Sequence, residues 1–265
     1  GAGETRRVAV EAHEALDSFR DVDLVIVLVR FPQMAQVLPL LVAHASRSDV
    51  LVMVQNAGGT EEWRRALGAR LVLGFAGSAA AFEGGTLVYR DAPRFVQPTV
   101  LGAPGAPPDA RVVRLLRLFT EAGVPAAAVD DMDAWLRWHA AWIAVLGCGV
   151  LAAAGDDARL RSGRHVATMV DAFFEGRDAL RAAGIPMRPA GLRWLFGAPR
   201  RCLRAVLRLA LRVPAVRREA IAGMRSSARE LPVVGAQLVE LGERAGVSMP
   251  AWRALIAEGS GSPAR

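Results

Sequence analysis

The chain is 265 residues long and 52% apolar, enough for one large domain or two ordinary ones with a sizeable core. Its net charge of +7 comes from 33 basic residues that are all arginine. With no lysine, neither an ammonium proton donor nor a Schiff-base nucleophile is open to it. Arginine keeps its proton to a pKa above about 12 and so stabilises negative charge without readily giving a proton away.

No apolar run reaches the roughly 18 residues that would read as a bilayer span, and residues 1–20 hold mixed charges rather than a signal-peptide core. The longest apolar stretch, Ala140 to Ala154, reads as a buried helix. Cys148 and Cys202 make no disulfide framework, so a reducing, cytoplasmic setting is the expectation. The Arg, Ala, Gly and Val bias points to a GC-rich bacterial genome.

In chain order, the first part alternates strand and helix. Strands are expected at Arg7–Val10, Leu24–Val29, Val50–Gln55, Arg70–Phe75 and Gly85–Arg90. Helices are expected at Met34–Ser46 and Thr60–Leu67, with Thr60 as N-cap and Glu61 and Glu62 in the favourable first turn. The runs Leu24–Val29 and Val50–Val54 are short, continuous and β-branched, the signature of strands buried on both faces of a parallel sheet. Each ends in polar or glycine-rich sequence: Arg30 and Gln33 after the first, Gln55, Asn56 and Gly58-Gly59 after the second. Ligands of open α/β sheets sit at such strand ends. A Gly/Pro-rich turn at 102–110 precedes an amphipathic helix from Ala110 to Ala122, and Val124–Val129 reads as a last short strand.

From Asp130 the pattern turns helical, over 133–155, 157–183, 199–212, 215–245 and 250–258. Breaks are signalled by Gly155, Gly184, Pro214 and Pro250, and Pro232 should kink or split its segment. An alternating half followed by a helical half implies two domains. The four histidines have no zinc-ligand spacing, no nucleophile triad is visible, and no metal site is expected. Asp130, Asp131 and Asp133 read as an interdomain linker and helix start. Arg204, Arg208 and Arg212 recur every four residues beside a stripe of Leu203, Leu207 and Leu211. That face suits a membrane surface, a nucleic acid or a cofactor 2′-phosphate, with a solvated helix face as the default reading.

Five segments in order resemble the ketopantoate reductase (2-dehydropantoate 2-reductase) family. DLVIVLVRFPQ is similar to its Asp-Leu-apolar-Val-Lys-x-x-Gln segment, and VQNAGGTEE to its Gln-Asn-Gly-x-Gly-x-Glu segment. GGTLVYR and PTVLG resemble later strands of its nucleotide domain, AVDDMDAWLR the Asp…Trp-x-Lys stretch that opens its helical domain, and RELPVVGAQLVELGERAGVSMP its C-terminal pattern. The resemblance implies a partial Rossmann-type domain over 1–127, and a helical domain over 128–258 like the C-terminal domain of 6-phosphogluconate dehydrogenase. Residues 259–265 are expected to form a flexible tail. It implies an NADPH-dependent reductase of a 2-keto acid working in an interdomain cleft. The alternative is a non-catalytic relative that keeps the architecture as a binding or interaction module.

The family opens with a strand, a G-x-G-x-x-G turn and a helix. Gly1-Ala2-Gly3 supplies only GxG, so the chain is either N-terminally truncated or has lost that cofactor anchor, and truncation is the expectation. The apolar sheet edge this leaves needs cover, which a homodimer would supply.

Position by position, the resemblance makes Arg30, Gln33 and Asn56 cofactor-binding residues and Glu230 a substrate-side glutamate. Asn56 has a second reading as a turn former between strand and Gly-Gly, and Glu230 as a solvated helix residue. Arg137 stands where the family has its proton-donating lysine, in a position to orient a keto acid carboxylate and stabilise the oxyanion. His139, with an ordinary pKa near roughly 6.5, is the candidate replacement acid; its second reading is a partly buried helix residue. On a helix Arg137 and His139 lie about 200° apart and cannot share a face, whereas Trp135 and His139 can.

Overall fold

The computed structural model describes residues 11, 13–14, 22–83, 86–91 and 98–260. The expected strand Arg7–Val10, the Gly1-Ala2-Gly3 segment and residues 261–265 lie outside them. A five-stranded sheet has the order β1-β2-β3-β6-β7, formed by Leu24–Val27, Asp49–Val52, Leu71–Phe75, Thr99–Gly102 and Ala126–Ala128. β1, β2 and β3 are parallel, β6 runs antiparallel to β3, and β7 is parallel to β6. A separate antiparallel hairpin pairs β4 (Ser78–Glu83) with β5 (Thr86–Asp91).

The β2 run shows why the sheet is buried where it is. Val50, Leu51 and Val52 are each fully buried. Because side chains alternate along a strand, Val50 and Val52 face one layer and Leu51 the other. The first layer holds α1 (Met34–His44), α2 (Glu61–Leu67) and Met132, Trp135 and Leu136 from the start of α4 (Met132–Ala152). The second holds Val112 and Leu115 of α3 (Ala110–Glu121). The expectation of burial on both faces fails for the first run. β1 pairs only with β2 among the described residues, and Ile26 and Leu28 are 44% and 65% exposed.

Beyond β7 the chain is helical: α4, α5 (Asp157–Leu160), α6 (Gly163–Ala182), α7 (Arg193–Gly197), α8 (Arg200–Arg212), α9 (Pro214–Ser226), α10 (Leu231–Arg244) and α11 (Pro250–Ser260). The expected helix 157–183 is two, because Ser162 accepts a hydrogen bond from the His165 N–H and caps α6. The expected helix 215–245 also splits, with Pro232 in the first turn of α10, where a missing N–H costs nothing. The division expected near residue 128 falls just before α4, yet the first turn of α4 packs with the sheet.

α4, α6, α10 and α11 pack around the fully buried Trp138 and Trp252. α4 is the one described helix long and apolar enough to cross a bilayer, and 72% of its most apolar window is buried in this core. Glycines let these helices approach closely. A Cβ on Gly149 would sit 2.5 Å from Met169 Cε of α6. Gly149→Val is therefore expected to cost about 1–3 kcal/mol of unfolding free energy. Gly191→Ala, which meets nothing within 4 Å, should change it by less than about 0.5 kcal/mol in the same denaturant titration.

Candidate functional site

The loops after the parallel strands β1 and β2 lie at one end of the sheet, and two helices from the second half of the chain pin them. Residues 56–60 form the second loop. Asn56 is 1% exposed, and its Oδ1 accepts from the backbone N–H of Gly58 (2.9 Å) and Gly59 (3.2 Å). Its Nδ2 donates to Gly59 O at 2.6 Å. This is an Asx-type turn, in which a short amide side chain mimics a backbone turn. The turn-forming reading of Asn56 is thus what the geometry displays.

Gln237, on α10, reads this loop from above. Its Oε1 accepts from the Ala57 N–H at 3.0 Å, and its Nε2 donates to Asn56 Oδ1 at 3.2 Å. Asp133, in the first turn of α4, holds the other end. Its Oδ1 accepts from both the backbone N–H (2.7 Å) and the hydroxyl (2.6 Å) of Thr60. Thr60 does occupy the N-cap position of α2, but its side chain makes no capping bond, and its hydroxyl donates to Asp133. Asp133 is therefore not merely a helix-start residue.

Arg137 lies one turn further along α4, with Nε 2.9 Å from Asp133 Oδ2. Its guanidinium rests on Gly59: a Cβ there would lie 1.9 Å from Nη2. Gly59 also has φ +102, a conformation open to glycine at little cost. Two independent constraints, backbone conformation and close approach, therefore require glycine at position 59.

The first loop is pinned by Glu230, the residue capping α10. Its Oε1 accepts from the Phe31 N–H at 2.9 Å, and its Oε2 lies 3.9 Å from Arg30 Nη1. Glu230 is 7% exposed, so it is not the solvated helix residue of the second reading. Burial pushes its carboxyl above the usual range, against the opposing pull of the Phe31 N–H and Arg30. Gln33 Oε1 accepts from the Arg30 N–H at 2.9 Å, closing a capping box around the short 3-10 turn Phe31–Gln33. Glu230 and Gln237 are seven residues apart, hence on one helical face, so α10 holds both loops with the same side. Between the loops opens a cleft of about 440 Å³, bordered by Phe31, Pro32, Gly58, Gly59, Trp63 and Gln237.

His139 is elsewhere. It stacks on Trp135 (centroids 4.8 Å apart, planes 8° apart) and packs against Phe75 at 4.3 Å. Trp135 and His139 share a face as expected, and Arg137 is on another. Burial pushes the imidazole down to about 3, and Nδ1 has no hydrogen-bond partner among the described residues. The expectation of a proton-donating His139 is corrected on this ground: a neutral ring in an aromatic pocket is not an imidazolium acid. Sequence reasoning also missed Gln237 and the reach of Asp133. The i,i+4 spacing of Asp133 and Arg137 and the seven-residue spacing of Glu230 and Gln237 were the available signals. No group of three His, Cys, Asp or Glu side chains arranged to hold a metal lies among the described residues.

No family model matches the chain, and no curated protein matches it. Solved structures do. A protein assigned as a ketopantoate reductase from Ralstonia solanacearum superposes with TM-score 0.69 at 20% identity, over 98% of this chain and 82% of that one. A ketopantoate reductase from Ralstonia eutropha gives TM-score 0.68 at 21% identity, over 96% and 80%. D-mandelate dehydrogenase, solved with NADH, gives 0.62 at 15% identity, over 91% and 78%. The chain thus has the fold of the ketopantoate reductases: a partial Rossmann-like sheet domain joined to a helical one.

The His139 environment has a measurable consequence. Between pH 6.5 and about 3 the unfolded chain takes up a proton on this ring that the folded chain refuses. Its contribution to stability is complete above pH 6.5 and falls on acidification through that window, by up to roughly 1.4 kcal/mol per pH unit. Urea midpoints across the window should show this decline, and His139→Leu should make it shallower.

Proposed function

We propose that the chain is a divergent ketopantoate-reductase-type enzyme that binds a reduced nicotinamide cofactor at the β1 and β2 strand ends and reduces a small 2-keto acid. The observation that carries this reading is the strand-end cleft bordered by Gly58 and Gly59, with the Arg137 guanidinium packed on Gly59 and Arg30 in the neighbouring loop. The donor set fits such a cofactor. The Arg30 side chain is 47% exposed and can meet a phosphate, and Phe31 and Pro32 give the cleft an apolar border for a ring. NADPH is the form that the resemblance implies, and one structure with this fold, D-mandelate dehydrogenase, was solved with NADH and anilino(oxo)acetate.

When bound, the cofactor supplies a hydride to the carbonyl carbon of the substrate. The chain's own part is electrostatic. Arg137, aimed by Asp133, binds the keto acid carboxylate and stabilises charge developing on the carbonyl oxygen. It keeps its own proton, so the oxygen takes one from water. Asn56 contributes by fixing the Gly58 and Gly59 backbone, since its Oδ1 is already used within the loop. Glu230 and Gln33 set the conformation of Arg30 and Phe31. His139 has no catalytic part in this scheme.

A second reading, a non-catalytic binding module, is favoured by one observation: Arg137, which stands at the position of the family's lysine, is already ion-paired to Asp133. Fluorescence titration with NADPH followed by a ketopantoate turnover assay separates the two. The reductase reading predicts binding and turnover, a loss in kcat/KM on the order of 100-fold in Arg137→Ala, and retained or higher activity in Arg137→Lys. Binding without turnover, unchanged in Arg137→Ala, favours the module. Absence of NADPH binding contradicts the proposal.

A further inference from the structure

The charge of this protein is not spread evenly. Residues 179–218 contain ten arginines and no Asp or Glu, so this segment carries more than the whole net charge of +7 and the rest of the chain is net negative. α8 lies within it. Its inner stripe, Leu203, Leu207 and Leu211, packs on the helical core, and Arg200 and Arg204 are bound to Asp171 of α6. What remains faces outward in two stripes. At 100° per residue, Cys202, Val206, Leu209 and Val213 fall within an arc of roughly 60°, and Arg201, Arg208 and Arg212 within a neighbouring arc of about 40°. Val206 and Leu209 are 65% and 66% exposed, and Val213 and Val216 are also open. Arg201, Arg208 and Arg212 are exposed and have no ion-pair partner among the described residues. Trp194, upstream in the same acid-free segment, is 73% exposed.

We propose that the outer face of α8 docks on an anionic lipid surface, with Val206, Leu209 and Val213 entering the headgroup boundary and Arg201, Arg208 and Arg212 meeting lipid phosphates. An outward apolar stripe bordered by arginines is the arrangement of a helix lying in the plane of a membrane interface, and an exposed tryptophan suits the same depth. A second copy of the chain is a poorer occupant, because joining two such faces brings six unpaired arginines together with no carboxylate in the segment to offset them. A nucleic acid would use the arginines and leave the aliphatic stripe in water. This inference is independent of the reductase reading, since it uses no residue of the strand-end cleft.

The test is flotation of the full chain with vesicles of phosphatidylcholine alone, and with phosphatidylcholine and phosphatidylglycerol in equal parts. The chain should float with the mixed vesicles only, and less so as salt is raised. Replacing Arg201, Arg208 and Arg212 together by Gln should weaken partitioning roughly 100-fold, from about fivefold per arginine. Leu209→Asp and, separately, Val206→Asp should abolish it; both positions are exposed, and unchanged circular dichroism would verify folding. Failure to float with mixed vesicles overturns the proposal, as does undiminished flotation of both Asp variants. So does a solution dimer that Leu209→Asp dissociates, which would assign the face to a second copy. Duplex DNA binding that outcompetes the vesicles and survives Leu209→Asp would assign it to nucleic acid.

Discussion

The Asp133 carboxylate is the constraint on which the candidate site hangs. One group on the first turn of α4 satisfies the backbone N–H and hydroxyl of Thr60 with one oxygen and aims the Arg137 guanidinium with the other. Thr60 is 2% exposed, so its donors would otherwise be buried without partners, at a cost of about 1–3 kcal/mol each. Gln237 does the same for Ala57 from α10. The loop after β2 is thus held at both ends by side chains of the helical part of the chain, and the glycines between permit that close approach. The sheet places a loop at its strand ends; the helices decide its shape.

This arrangement also sorts the chemistry. Arg137 is fixed in direction and charge, which suits binding an anion and opposes giving up a proton. His139, two residues on, is turned by helical geometry into an aromatic pocket where charge is disfavoured. A chain without lysine therefore presents at this cleft an electrostatic device rather than an acid. Glu230, raised by burial and bonded to the Phe31 N–H, holds the first loop as Asp133 holds the second. The two loops share one support because Glu230 and Gln237 lie on one face of α10.

How much of this was legible in the sequence follows from the range of the interactions. Burial of β2 on both faces could be read from the unalternating apolar run Val50–Val54, although the same signature in Leu24–Val29 did not bring burial on both faces. The break at Pro232 was legible because proline acts locally. The β4 strand was not: Ser78–Glu83 is alanine-rich and has little strand preference of its own, so its pairing with β5 comes from the partner strand. The exposure of Ile26 and Leu28 was equally hidden, since edge position is a property of the assembled sheet. At the site, Arg30, Gln33, Asn56, Arg137 and Glu230 do gather around the two strand-end loops. Gln33, Asn56 and Arg137 make short-range contacts that spacing can suggest. The reach of Asp133 to Thr60 and of Glu230 to Phe31 spans 73 and 199 residues, which no spacing rule covers.

The most direct test of this account is amide hydrogen exchange at Ala57, Gly58, Gly59 and Thr60. A loop clamped by Asn56, Gln237 and Asp133 should exchange slowly, near the rate of the β2 amides, and should lose that protection in Asp133→Ala while the β2 amides keep theirs. Exchange of these four amides at free-loop rates in the unmodified protein would contradict the claim that the helical part of the chain holds the site in place.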